Sequence, residues 1–170
     1  MRGRGGAVGI VLACALTLGG CSTTGPLEST DEPGQVVCTP QDAEGRAVIA
    51  MSVVSLSDDR DVTVTAVTLV DPDGLELIGH DFGPADDDES YSAYAIVGGD
   101  YDTLGPPDDP VSTLTAGHSY LVEVGLAAAP EGGATHGVEI EYRVHASNDT
   151  RTVQTAVTMQ VAAAGEVCTG

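Results

Sequence analysis

The chain has 170 residues, of which 26 are acidic and six basic, giving a formal net charge of −20. All six bases are arginine, tryptophan is absent, and phenylalanine occurs once. This balance argues against nucleic-acid binding, which rests on basic residues that displace counterions from phosphate. It also requires a core of Val, Leu, Ile and Ala with a few tyrosines.

The first six residues, MRGRGG, carry Arg2 and Arg4 and no acid, and twelve almost wholly apolar residues follow from Ala7 to Leu18. A membrane-spanning helix needs about 20 such residues, so the run reads as the apolar middle of a secretory signal over residues 1–20. It ends on Leu18-Gly19-Gly20-Cys21, which resembles the bacterial lipoprotein box. The resemblance implies that Cys21 becomes the first mature residue and that its thiol accepts a diacylglycerol. Two acyl chains, at about 0.8 kcal/mol per buried methylene, anchor stably where one binds marginally. A plain secretory signal with Cys21 as a bystander is the alternative. Cys14 lies inside the apolar run and would leave with it. The mature chain would then hold four arginines against 26 acids, a formal charge of −22, and anionic lipid headgroups would repel it.

From Cys21 to Gln35 the chain is small, polar and proline-bearing (STTGPLESTDEPGQ after the cysteine), which reads as a flexible tether over 21–35. The period-two signal of strands then takes over for a single domain at 36–169. A short strand is expected over Gln35–Cys38. Ala47–Leu56 is apolar on both faces, as a central strand would be, and Val62–Val70 alternates valine with threonine. Asp71-Pro72-Asp73-Gly74 signals a turn before Leu75–Ile78. Tyr91–Val97 and Tyr120–Leu126 read as two more strands. Thr135–Ser147 puts Val138, Ile140, Tyr142, Val144 and Ala146 on one face, with Glu139, Glu141, Arg143 and His145 on the other. Thr152–Ala162 repeats the pattern after a turn at Asn148-Asp149. No stretch beyond the signal carries an apolar stripe at helical spacing. The expectation is an all-β, two-sheet antiparallel sandwich.

The stretch Leu114-Thr115-Ala116-Gly117-His118-Ser119-Tyr120 resembles the corner of fibronectin type III and related immunoglobulin-like domains, with Ala116 in place of the usual proline. The resemblance implies an immunoglobulin-like sandwich in which the Tyr120 hydroxyl bonds back to upstream backbone.

Cys38 and Cys168 bracket the domain. An even pair in an exported chain suggests a disulfide, with free thiols or a metal pair as the alternatives. An even number of strands, counting Gln35–Cys38, would bring the two cysteines to one end. The segment Gly83–Pro110 concentrates acids at Asp86, Asp87, Asp88 and Glu89, then at Asp100, Asp102, Asp108 and Asp109. The last four are candidate oxygen ligands for calcium, although no EF-hand register is present. Tyr91, Tyr94 and Tyr101 lie in the same segment and are candidate contacts for a protein or glycan partner. No two histidines share a metal-binding spacing, and Met51 and Met159 read as core. No G-x-S-x-G elbow occurs, so nothing supplies a nucleophile with its base. The sequence therefore leads to the expectation of a lipid-anchored envelope module that is non-enzymatic and has a binding or accessory role. A calcium-dependent binder or envelope-stability factor using the 83–110 segment is the alternative.

Overall fold

The computed structural model describes residues 25–56, 60–85, 94–96, 101–107, 112–147 and 149–168. Twelve strands and one short 3-10 turn are found among them. They are β1 (Leu27–Ser29), β2 (Val36–Pro40), β3 (Arg46–Leu56), β4 (Val62–Leu69), β5 (Leu75–Ala85) and β6 (Tyr94–Ile96). After the 3-10 turn Tyr101–Thr103 come β7 (Thr113–Leu114), β8 (Ser119–Ala128), β9 (Gly133–Thr135), β10 (Val138–Val144), β11 (Thr150–Gln154) and β12 (Thr158–Ala162). The protein is all-β, as its sequence leads one to expect.

The strands form three open sheets. A five-stranded sheet runs β1-β3-β8-β5 with β6 also on β3, and a four-stranded sheet runs β11-β10-β4-β7. The third sheet, β2-β12-β9, pairs β2 with β12 in parallel. This differs from the expected pair of wholly antiparallel sheets. The physical reason lies at Thr155–Val157, where the last alternating run breaks. The Thr155 amide donates to Val138 O at 2.9 Å, its Oγ1 accepts from the Val138 amide, and the chain then leaves β10 to build β12 on β2. A similar break at Gly137 (φ 114°) separates β9 from β10, and any Cβ there would meet Thr155 O at 2.6 Å.

The three sheets share one core. Ile49, Val54, Leu126, Ile140, Tyr142 and Val157 are each fully enclosed, and Met159 and Val161 join them from β12. Alternation in β10 is strict: Val138, Ile140, Tyr142 and Val144 are buried, and Glu139, Glu141 and Arg143 are exposed. Ala146 departs from the expected face because it sits in the β10–β11 turn at φ 65°.

The segment read as a tether is in part structural. Leu27 is 2% exposed and β1 pairs with β3 in the register Leu27↔Leu56 to Ser29↔Val54. Asp31 then clasps three elements: its carboxylate accepts from Ser29 Oγ at 3.0 Å, from the Val53 amide at 3.2 Å and from the Ala156 amide at 3.2 Å. A Cβ at Gly25 would collide with the Tyr142 hydroxyl. Residues 27–31, within the stretch read as tether, thus pack on the sheets.

Candidate functional site

The best-defined non-scaffold feature is residues 101–107, which lie as a strap across the outer face of the five-stranded sheet. Alternation places Arg46 and Val48 of β3, Leu121, Glu123 and Gly125 of β8, and Gly79 and Asp81 of β5 on that face, opposite the core. Gly79 and Gly125 are cross-strand partners, and together they make a slot without side chains. Leu104 fills it: a Cβ at Gly125 would lie 2.6 Å from Leu104 Cδ1, and one at Gly79 would lie 2.9 Å from Leu104 Cβ. Gly105 then pairs with the edge of β5, exchanging both backbone hydrogen bonds with His80 at 2.9 Å. Pro107 borders an open, mainly apolar groove of about 320 Å³ lined with Val67, Thr68, Leu69, Pro72, Leu75, Glu76 and Leu77.

At its other end the strap is held by charge. The Arg46 guanidinium stacks 4.2 Å from the centre of the Tyr101 ring, a cation–π contact worth about 0.5–1 kcal/mol where partly solvated. Arg46 also pairs with Asp42 at 3.2 Å and Glu44 at 3.3 Å. Burial alone would raise the Asp42 pKa, but the amides of Arg46 and Glu44, the Arg46 charge and the Tyr101 hydroxyl together hold it below the usual carboxylate range. Burial and the Asp42 charge push the Tyr101 phenol up. Its hydroxyl is enclosed beside Asp42 without meeting it in a well-aligned hydrogen bond.

Tyr101, a candidate partner contact, is half-buried here: Arg46 engages its ring and its hydroxyl is enclosed, so it fixes the strap to the sheet. Cys21, Tyr91, Asp100, Asp108 and Asp109 lie outside the described residues, as do the side chains of Tyr94 and Asp102. The expected calcium ligand set thus lies outside what the structure describes. Among the described residues no three His, Cys, Asp or Glu side chains converge as a metal-ligand group.

Cys38 and Cys168 are joined in a disulfide, with Cα atoms 5.8 Å apart. Strand parity is not what brings them together. β2 and β12 run side by side in the same direction, the chain turns at Gly165 (φ 79°), and the following residues return to Cys38.

Several features were not anticipated from the sequence. Asp81 and Glu123 are direct cross-strand neighbours on the strapped face. Burial, then the Asp81 charge, raises the Glu123 pKa. His80 is buried and meets Phe82 edge to face at 5.8 Å. On the outer face of the four-stranded sheet, Thr63 Oγ1 lies 2.8 Å from His145 Nε2, and Thr65 Oγ1 donates to Glu141 at 2.8 Å. Both are exposed cross-strand pairs of the kind that stabilise sheets. Only the alternation of β4 and β10, once paired, would have revealed them. The Tyr120 hydroxyl accepts from the Thr115 amide at 2.7 Å, the upstream backbone bond its sequence context implies.

No family model matches the chain, and no curated protein matches it. Among solved structures, one titled "Structure of Vibrio cholerae VesB protease" is similar over 82% of this chain and 32% of that one, at 15% identity and a TM-score of 0.39. The match thus spans about a third of that protease. At this level of similarity neither its fold nor its activity transfers to the present chain. No helix among the described residues is long and apolar enough to cross a membrane.

Proposed function

We propose that this is an exported lipoprotein, anchored through Cys21, which displays one immunoglobulin-like β-sandwich as a non-enzymatic binding or accessory module. The observation that carries the reading is the Cys38–Cys168 disulfide, because such bonds persist in oxidising, extracytoplasmic compartments. It agrees with the Leu18-Gly19-Gly20-Cys21 box at the end of the apolar segment. The Tyr120–Thr115 bond supports the immunoglobulin-like assignment, as does the core that the sheets share. The partner is a protein or glycan in the envelope, since a surface of this acidity disfavours nucleic acid.

Two measurements test the reading. Mass spectrometry of protein purified from bacterial membranes should find acyl mass on an N-terminal Cys21 peptide. An unmodified peptide starting elsewhere would refute the anchor. Affinity capture from envelope extract with the mature domain should recover a partner that the reduced, unfolded chain does not. Recovery of nothing beyond that control would refute the binding role.

A further inference from the structure

β1 lies so few residues after Cys21 that its packing fixes which end of the domain meets the membrane. The anchor proposed above is the premise. β1 enters beside Leu56, and Leu56 lies at the same end of the sheets as Val62, Ser119, Val144 and Thr150. The loop residue His118 is at this end too, its carbonyl accepting from the Leu56 amide at 3.0 Å. The opposite end holds Arg46, Leu75, the Gly74–Ala129 contact and the turn at Glu131.

The entry segment is firmly held. The buried Leu27, the three β1–β3 pairs, the Asp31 clasp and the Thr30 amide bond to Val53 O at 2.9 Å all hold residues 27–31. Six residue steps separate Cys21 from Leu27. Even fully extended they reach about 20 Å. The eleven residues of β3 span roughly 36 Å. The leash is therefore shorter than the domain is long, and an inverted domain, with its far end down, is out of reach.

We propose that the anchored domain stands on its Leu56–His118 end, with that end within about 20 Å of the lipid surface, and presents its Arg46–Glu131 end to the space beyond. The partner of the near end is the membrane itself, met as a steric boundary and not through a basic patch. Among the described residues that end balances Arg60, Arg143 and Arg151 against Glu28, Asp61 and Asp149. Asp58 and Asp59 adjoin it in sequence, so an anionic lipid surface repels this end at close approach. Repulsion from anionic lipid decays over about 8 Å at physiological salt. A macromolecular partner approaching from solution then meets the far end, with the Asp42–Arg46–Tyr101 cluster and the Cys38–Cys168 staple.

The absence of lysine from the chain gives a clean test. Single variants His118→Lys and Glu131→Lys, both at exposed positions, are made in the full lipoprotein, purified from membranes and labelled with an amine-reactive donor dye. They are reconstituted into phosphatidylcholine vesicles containing anionic phosphatidylglycerol and an acceptor lipid, and the lysine-free parent supplies the background from the terminal amine. Energy transfer should be several-fold stronger from position 118 than from position 131. A Gly/Ser insertion of about thirty residues between Thr24 and Gly25 should abolish that difference by lengthening the leash. Equal, strong transfer from both positions means the domain lies on its side, and weak transfer from both means the leash is longer than inferred. Either overturns the inference. Acyl mass on Cys21 is read from the same preparations. Its absence overturns the anchor and the inference together, while its presence with equal transfer overturns the inference alone.

Discussion

Replacing Leu27 with alanine separates a structural β1 from a tether. Leu27 is 2% exposed and packs in the shared core opposite Leu56. Leucine-to-alanine changes in cores cost about 2–5 kcal/mol, with the cavity left behind setting the value. β1 is short and lies at a sheet edge, so its neighbours can partly close the gap, and about 3 kcal/mol is expected. For a domain of this size that lowers the midpoint of thermal unfolding by roughly 6–12 °C. Urea unfolding, followed by tyrosine fluorescence, should show the transition midpoint falling with an unchanged slope. Glu28→Ala, on the exposed side of the same strand, serves as the control and should stay within about 0.5 kcal/mol of the parent. If Leu27→Ala matches that control, residues 27–29 do not belong to the folded unit. The short leash argued above then fails with them.

Removing the disulfide as Cys38→Ser with Cys168→Ser opens a loop of 130 residues. Loop-closure entropy sets a loss of up to about 5 kcal/mol, and an unchanged urea midpoint would contradict it. Gly125→Val should evict Leu104 from its slot, because the first added carbon already lies 2.6 Å from Leu104 Cδ1. Limited proteolysis should then cut within 101–107 about tenfold faster, equivalent to about 1.4 kcal/mol of lost protection. The raised pKa of Glu123 means that its ionised form is disfavoured by folding, so stability is gained as pH falls through the folded pKa. Glu123→Gln should therefore be more stable than the parent at pH 7, with the advantage shrinking on acidification. A difference that grows toward low pH would refute the burial and Asp81 repulsion invoked here. Asp31→Ala leaves the amides of Val53 and Ala156 without their acceptor and should cost about 2 kcal/mol in the same urea assay.

The parts of the fold that could be read from sequence are those where one physical signal dominates. β3 announces itself by being apolar on both faces, and it is flanked by β8 on one side and by β1 and β6 on the other. β10 is legible because every second residue is buried. The long-range partner of Cys38 was legible because thiol chemistry restricts what it can bond, and the local bond of Tyr120 to Thr115 because its sequence context resembles a known corner. What escaped reading has equally specific causes. β1 offers a single apolar residue, Leu27, in a run of small polar ones, and its place in the core depends on a groove that forms only when β3 and β10 are in place. β5 extends to Ala85, well past the expected Ile78, because Gly79, Gly83 and Pro84 read as strand breakers. In the structure Gly79 is half of the slot for Leu104, and Pro84 lies toward the end of an edge strand, where a missing amide does little harm. The division of the last alternating run into β11 and β12 leaves no trace in the pattern, since Val153, Val157, Met159 and Val161 keep the same parity across the change of sheet. The role of Tyr101 followed from its three-dimensional neighbours Arg46 and Asp42, whose sequence distance conceals them.

The parallel pairing of β2 with β12 has a consequence for how the chain reaches its native state. Within the described residues β2 forms ladder hydrogen bonds with β12 alone, and more than a hundred residues separate the two. During synthesis the second strand emerges early and waits, its amides and carbonyls uncovered, until the twelfth arrives. Such an unpaired edge is a template for association with other chains, and pairings this distant in sequence form slowly. Val36, still 53% exposed in the finished domain, sits on that waiting strand. The order of emergence thus makes the interval before β12 arrives the vulnerable one. The Cys38–Cys168 bond can close only after that interval ends, because Cys168 follows β12 in the chain.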